Sequence, residues 1–205
     1  MDLISGYFPD LDADQKERFR LMQPLYKTWN ARINLISRKD EDALYLHHIL
    51  HSLAIAHIIN FPASSRVIDV GSGGGFPGIP LAILFPHVNF TLLDSKKKKI
   101  YVCQHIIEAL ELANVKLVSE RAEDHRQAYN YVIARAVAAF PKFYMQTKHL
   151  LDKGCVFPKQ GIYYLKGGQL TEELESFPHS TVHSISDFFT ESFFQTKMVI
   201  HLPAS

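Results

Sequence analysis

Cysteine is scarce in this chain, with only Cys103 and Cys155 among 205 residues, far apart and without a Cys-x-x-Cys pair. A disulfide framework and a thiolate metal site are therefore not expected, and a reducing compartment suits the sequence better. No apolar run reaches the roughly 18 residues that a spanning helix needs. The opening Met1-Asp2-Leu3-Ile4 also lacks a basic stretch followed by an apolar one, so the expectation is a cytoplasmic protein with no membrane partner. Charge of one sign is lacking too: 22 basic residues face 21 acidic ones, a formal net charge of +1. Bulk electrostatics thus neither demands nor forbids a nucleic-acid partner, and only local clustering can speak to it. A hydrophobic share of 47% and a charged share of 21% are enough to build a core and exclude disordered and fibrous classes. The length fits one domain with a short appendage.

Residues 1–62 read as a helical extension. Asp12 followed by Gln15 is a capping-box pattern, and Phe19, Met22, Leu25, Tyr26 and Trp29 recur at helical spacing up to Asn30. A second helix is predicted from Asp40 as N-cap, with Leu46, Ile49, Leu50, Leu53 and Ile58 as its apolar stripe, stopping before Pro62. From residue 63 to 205 the period changes. Short apolar runs at 66–70, 89–93, 115–118 and 131–134 alternate with helical candidates at 78–85, 95–112 and 141–151. Further strands are expected near 162–165, 181–185 and 196–202, with a helix near 170–177. This alternation predicts an α/β fold with a doubly wound, mostly parallel sheet, whose ligand loops follow Val70, Leu93, Val118 and Ala134.

The strongest local signal places five of the ten glycines within the eight positions from Gly71 to Gly78, directly after a predicted strand. Glycine there permits positive φ and close approach of a ligand to the backbone, while the following helix offers amide donors. Gly73, Gly75 and Gly78 satisfy G-x-G-x-x-G, with Asp94 near the place of a ribose-binding acid, so a nicotinamide or flavin oxidoreductase is one reading. The register Gly71-x-Gly73-x-Gly75, preceded by Asp69, instead looks like the first motif of S-adenosylmethionine-dependent methyltransferases. A third reading is a non-catalytic RNA-binding module in which this loop and Lys96 to Lys99 cradle phosphates. Those lysines open a predicted helix against its macrodipole, a local cost that an anionic partner would offset.

Arg121 and Arg135 each follow a predicted strand, where a doubly wound fold gathers its site loops, although either could serve only to pair a carboxylate. His47 and His51 share a helical face, but no third ligand is marked, and no metal is expected. Neither cysteine has a recognisable base, so a thiolate nucleophile is not expected.

Taken together, these segments resemble the bacterial glucose-inhibited division protein B family, the 16S ribosomal RNA guanine-N7 methyltransferases. The resemblance spans about residues 25 to 170. It is carried by Trp29-Asn30, Ile33-Asn34-Leu35, His48-Ile49-Leu50, Ser52-Leu53, Asp69-Val70-Gly71, Gly75-Phe76-Pro77-Gly78-Ile79-Pro80, Leu92-Leu93-Asp94-Ser95, Arg121-Ala122-Glu123, Ala134-Arg135-Ala136 and Leu165-Lys166-Gly167. One departure is His51, at a position where the family commonly carries Asp.

The resemblance implies a Rossmann-like class I methyltransferase using S-adenosyl-L-methionine. It implies that Gly71, Gly73 and Phe76 line the methionine and ribose region, that Asp94 holds the ribose, and that Ala122 and Glu123 flank the adenine. Arg135 and Arg121 would face the methyl donor and the incoming guanine as the catalytic pair. Asn34, His48, Lys98 and Lys166 would lie on the RNA side. The implied partner is 16S ribosomal RNA or the small ribosomal subunit, met by a monomer. Guanine N7 has a lone pair and no proton, so alignment and electrostatics rather than a general base would carry such a transfer.

Overall fold

Seven strands form one sheet in the order β3-β2-β1-β4-β5-β7-β6. The computed structural model describes residues 2–37, 40–135, 137–152, 154, 157–168 and 170–204. Cys155 and Ala136, noted in the sequence, lie outside the described residues. The strands are β1 (Arg66–Val70), β2 (Asn89–Leu93), β3 (Val115–Val118), β4 (Tyr131–Arg135), β5 (Gly161–Gly167), β6 (Thr181–Ser184) and β7 (Lys197–Pro203). The first five pair in parallel, whereas β7 runs antiparallel between β5 and β6.

The chain winds from β1 through β2 to β3 and then returns to lay β4 on the other side of β1. That reversal splays the loops after β1 and β4 apart, and a doubly wound sheet binds its ligands in the resulting crevice. The central strands are buried on both faces, as their near-continuous apolar runs predict. Alternate residues feed opposite cores. Val67 and Ile133 join the core shared with the N-terminal helices, α4 (Gly78–Leu84) and α5 (Lys97–Ala109). Ile68, Val70, Val132 and Ala134 join the core under α6 (Phe140–Thr147). The short α7 (Thr171–Leu174) lies against α6 and precedes β6.

The N-terminal region starts with α1 (Asp2–Tyr7) and α2 (Ala13–Asn30). The capping box at α2 forms as expected: Gln15 N donates to Asp12 Oδ1 at 2.7 Å and Asp12 N donates to Gln15 Oε1 at 3.0 Å. The second helix departs from expectation. It starts at Leu44 as a π-helical turn, Leu44–Leu50, and continues through α3 (His51–Leu53) into a 3-10 turn, Ala54–His57. Asp40 does not cap it; the carboxylate instead bonds His47 Nδ1 at 2.7 Å. A π turn carries more residues per turn than an α-helix, so the buried positions drift off the 3.6 period. Leu46 lies only half-buried, while every residue from His48 to Ile55 is buried.

The C-terminal part completes the sheet and returns to this segment. The Phe193 ring stacks on His47 with centroids 4.0 Å apart, and Phe194 meets His51 edge-on at 6.0 Å.

Candidate active site

The glycine loop leaves the C-terminal end of β1 and hooks onto its neighbour at once: Gly71 N and Ser72 N both donate to Leu93 O, at 2.8 and 3.1 Å. Gly73 then takes a φ of +60°, a left-handed conformation that a side chain disfavours, and turns its N–H onto Asp94 Oδ2 at 2.9 Å. The other Asp94 oxygen accepts Lys96 N at 2.8 Å. Each carboxylate oxygen has two lone pairs, so both retain acceptor capacity after these bonds. Asp94 is buried, yet it borders the cleft.

A second carboxylate supports the loop from below. Asp69, the only charged residue of β1 apart from its first, is fully buried and accepts Gly78 N at 2.8 Å through Oδ2. Burial pushes its pKa up to about 7, against the pull of that amide and of Arg135. A Cβ on Gly78 would lie 2.8 Å from Asp69 Oδ2 and 2.9 Å from Leu92 Cδ1, so only glycine fits between the helix start and the sheet. The third support comes from α2, where the buried Tyr26 hydroxyl donates to Gly74 O at 2.5 Å and its ring lies 4.9 Å from Phe76. Cys103 is buried beneath the loop, with its thiol 3.5 Å from Gly73 O and its pKa raised to about 12 by burial, which makes it a packing residue.

Above this cradle lies a cleft of about 520 Å³. All seven residues expected around a cofactor border it: Gly71, Gly73, Phe76, Asp94, Ala122, Glu123 and Arg135. Arg121 borders it too, with its side chain exposed at the rim and no polar partner among the described residues. The loops that follow β1, β2, β3 and β4 thus converge as their positions predicted. Sequence reasoning did not single out Glu120, Val137, Phe143 or Gln146, which also line the cleft beside Leu35 and Lys99. Gln146 Nε2 donates to Glu123 Oε1 at 2.6 Å, tying α6 to the loop after β3. Asp69 was legible as part of the motif that precedes the glycines, whereas Tyr26 was legible only as a member of a helix stripe.

Arg135 closes the inner end. Its Nη1 donates to His47 O at 3.2 Å, its Nη2 to His48 Nδ1 at 2.9 Å, and its guanidinium sits 5.1 Å from the centre of the Phe76 ring. Burial lowers its pKa to about 10, which leaves it a cation at neutral pH with no carboxylate in direct contact among the described residues. Such a charge is suited to an arriving polar group. His48 is itself buried, and burial together with the nearby Arg135 holds its pKa at about 3. Of the other residues assigned to an RNA side, Asn34 and Lys98 are exposed, while Lys166 forms an ion pair with Glu173. Among the described residues, no group of three or more His, Cys, Asp or Glu could hold a metal ion.

Residues 15–200 match the family GidB, described as rRNA small subunit methyltransferase G. A ribosomal RNA small subunit methyltransferase G from Flavobacterium psychrophilum is 51% identical over 204 residues, covering 99% of this chain and 98% of the relative. Its counterparts from Bacteroides thetaiotaomicron and Cytophaga hutchinsonii are 45% and 43% identical, covering 98% and 100% of this chain and 98% and 100% of theirs. Among solved structures, a mutant of MtNAS has a TM-score of 0.59 at 13% identity over 94% of this chain and 75% of that one. The precorrin-6y C5,15-methyltransferase from Geobacter metallireducens has a TM-score of 0.51 at 13% identity, covering 82% of this chain and 90% of that one. Those two likenesses concern the fold, which is that of Rossmann-like class I methyltransferases.

Proposed function

The chain belongs to the rRNA small subunit methyltransferase G family, and from that membership we propose that it methylates N7 of a guanine in the decoding region of 16S rRNA. It is an S-adenosyl-L-methionine-dependent rRNA methyltransferase. An rRNA substrate suits work in the cytoplasm, and the reading is of a monomer. Among the described residues no helix is long and apolar enough to cross a membrane.

The observation that carries the cofactor reading is the bond from Gly78 N to Asp69 Oδ2. A dinucleotide site seats its pyrophosphate on the amides of the helix after the glycine loop. Here the first of those amides is taken by a buried carboxyl group. The next amide, of Ile79, is bonded to Gly75 O at 2.7 Å. A cationic nucleoside without phosphates suits this arrangement.

When bound, S-adenosyl-L-methionine supplies an electrophilic methyl group on a sulfonium. The free lone pairs of Asp94 serve ribose hydroxyls, and Gly71, Gly73 and Phe76 shape the methionine and ribose end. Ala122 and Glu123, with Leu93 and Phe143 nearby, border the adenine end. Arg135 orients the guanine by donating to O6 or to a neighbouring phosphate, and Arg121 meets the RNA at the rim. His48 acts through Arg135 rather than on RNA directly. Asn34 and Lys98 offer exposed RNA contacts, and Lys166 joins them on β5 with Glu173 holding it. No residue need accept a proton, because guanine N7 carries none.

The test is incubation with methyl-labelled cofactor and small-subunit RNA, followed by nucleoside mapping. Label in 7-methylguanosine is the expected result. Label elsewhere in the RNA, or none in RNA, would overturn the guanine N7 assignment.

A further inference from the structure

Outside the cleft, the outer face of α5 and the end of α2 carry a cluster of aromatic rings in which Trp29 packs partly against the core while Tyr101 stands exposed. Tyr101 is 56% exposed, and no other aromatic residue is among the exposed large hydrophobic side chains of the described residues. Its ring meets His105 edge-on at 4.6 Å and Trp29 of α2 edge-on at 6.0 Å. Trp29 and His105 stack at 4.9 Å with planes 12° apart, and the Arg32 guanidinium lies 5.5 Å from the centre of the Trp29 ring. The rings therefore brace one another and leave Tyr101 presented to solvent at low conformational cost.

The side chains that join this ledge to the cleft mouth are cationic, while Asp94, Glu120 and Glu123 border the cleft itself. Lys97 and Lys98 precede Tyr101 by four and three residues, so all three share a helical face, and both lysines are exposed. Arg32 is exposed on the adjoining turn. At the other end of the ledge Glu108 lies 3.5 Å from His105. The ledge is also continuous with the cleft: Lys96 and Lys99 at the start of α5, and Leu35 just beyond Arg32, line it. A polyanion leaving the cleft over the first turn of α5 reaches Lys97 and Lys98 and then the Tyr101 ring.

From this arrangement we infer that the Trp29–Tyr101–His105 ledge is a stacking subsite for an unpaired base of the RNA, a nucleotide flanking the one that is modified. The inference rests on the rRNA reading above and adds a recognition site to it. Single-stranded nucleic acid is held by such a pairing of cationic groups with aromatic faces, and a stacked base tolerates any sequence because every base has a π-face.

Trp29 is the sole tryptophan, so it reports binding at the ledge without a label. A short unstructured RNA should quench its emission saturably, and inorganic polyphosphate at equal charge should not. Tyr101→Ala should raise the Kd for that RNA about tenfold with an unchanged salt slope, and Tyr101→Phe should restore it. Lys97→Gln and Lys98→Gln should each lower the salt slope by about one. In every variant the thermal shift produced by S-adenosylhomocysteine should equal that of the wild type, which shows that the fold is intact. Equal RNA affinity in Tyr101→Ala, or equal quenching by polyphosphate, would overturn the ledge. If the wild type methylates rRNA while Tyr101→Ala binds RNA normally, the ledge alone fails; if the wild type transfers no methyl group to rRNA, the function reading fails.

Discussion

Arg135 Nη2 lies 2.9 Å from Nδ1 of His48, and a guanidinium can only donate. His48 is therefore neutral, with Nδ1 as acceptor and its proton on Nε2, and it serves as a fixed bracket for the cation at the inner end of the cleft. Replacing it with Leu removes the acceptor and frees the guanidinium; kcat/KM for methyl transfer should fall about tenfold to a hundredfold. His48→Gln keeps an acceptor and should recover most of the activity. Equal loss in both variants would mean that the imidazole does something other than orient Arg135.

The same burial makes the fold sensitive to acid. His48 titrates at about 3 and His51 well below its ordinary value, the latter through burial and the nearness of Arg135, Lys197 and His48. The unfolded chain binds protons at both histidines near pH 6.5, whereas the folded chain does not. Their contribution is complete above pH 6.5 and is lost as pH falls, with a slope of up to about 1.4 kcal/mol per pH unit for each. Urea unfolding between pH 7.5 and 5 should show declining stability, and His51→Asn should flatten the decline. An unchanged slope in that variant would contradict the assignment.

Asp69 carries the opposite sign. Its folded pKa of about 7 is above the unfolded value, so its stabilising effect is present at low pH and is lost as pH rises from about 4 to 7. Asp69→Asn preserves an oxygen for Gly78 N and removes the buried charge. The stability of this variant relative to wild type should increase as pH is raised from 5 to 8. A relative stability that does not vary with pH would show that Asp69 keeps an ordinary carboxylate pKa.

Gly78→Ala tests the close contact between α4 and the sheet. The new Cβ would meet Asp69 Oδ2 and Leu92 Cδ1 at under 3 Å, and overpacking of this kind costs about 1–3 kcal/mol. Chemical unfolding should register that loss, together with weaker binding of S-adenosylhomocysteine as the loop shifts. A variant as stable as wild type would mean that α4 moves away from β2 without strain.

Much of this was legible in the chain itself. The strands announced themselves because a buried parallel strand needs a short apolar run, and β1, β2 and β4 end at a glycine, an acid and an arginine where their loops reach the crevice. Asp94 and Arg135 could be placed at the cleft from that rule, whereas Glu123, beyond the end of β3, was placed beside the adenine only by the family resemblance. The helix after Asp40 could not be read correctly, because its π-helical turn breaks the period by which helices are recognised and diverts Asp40 to His47. Tyr26 and Gln146 escaped for another reason. Their bonds to Gly74 and Glu123 join segments distant in sequence, and in the chain Tyr26 reads only as part of an apolar stripe.

The most direct test is calorimetric titration of the protein with S-adenosylhomocysteine and, separately, with NAD. Saturable binding of the first at one site per chain, reduced at least about tenfold in Asp94→Ala, and no binding of the second is the predicted outcome. Saturable NAD binding that Asp94→Ala weakens, with none of S-adenosylhomocysteine, would contradict the account.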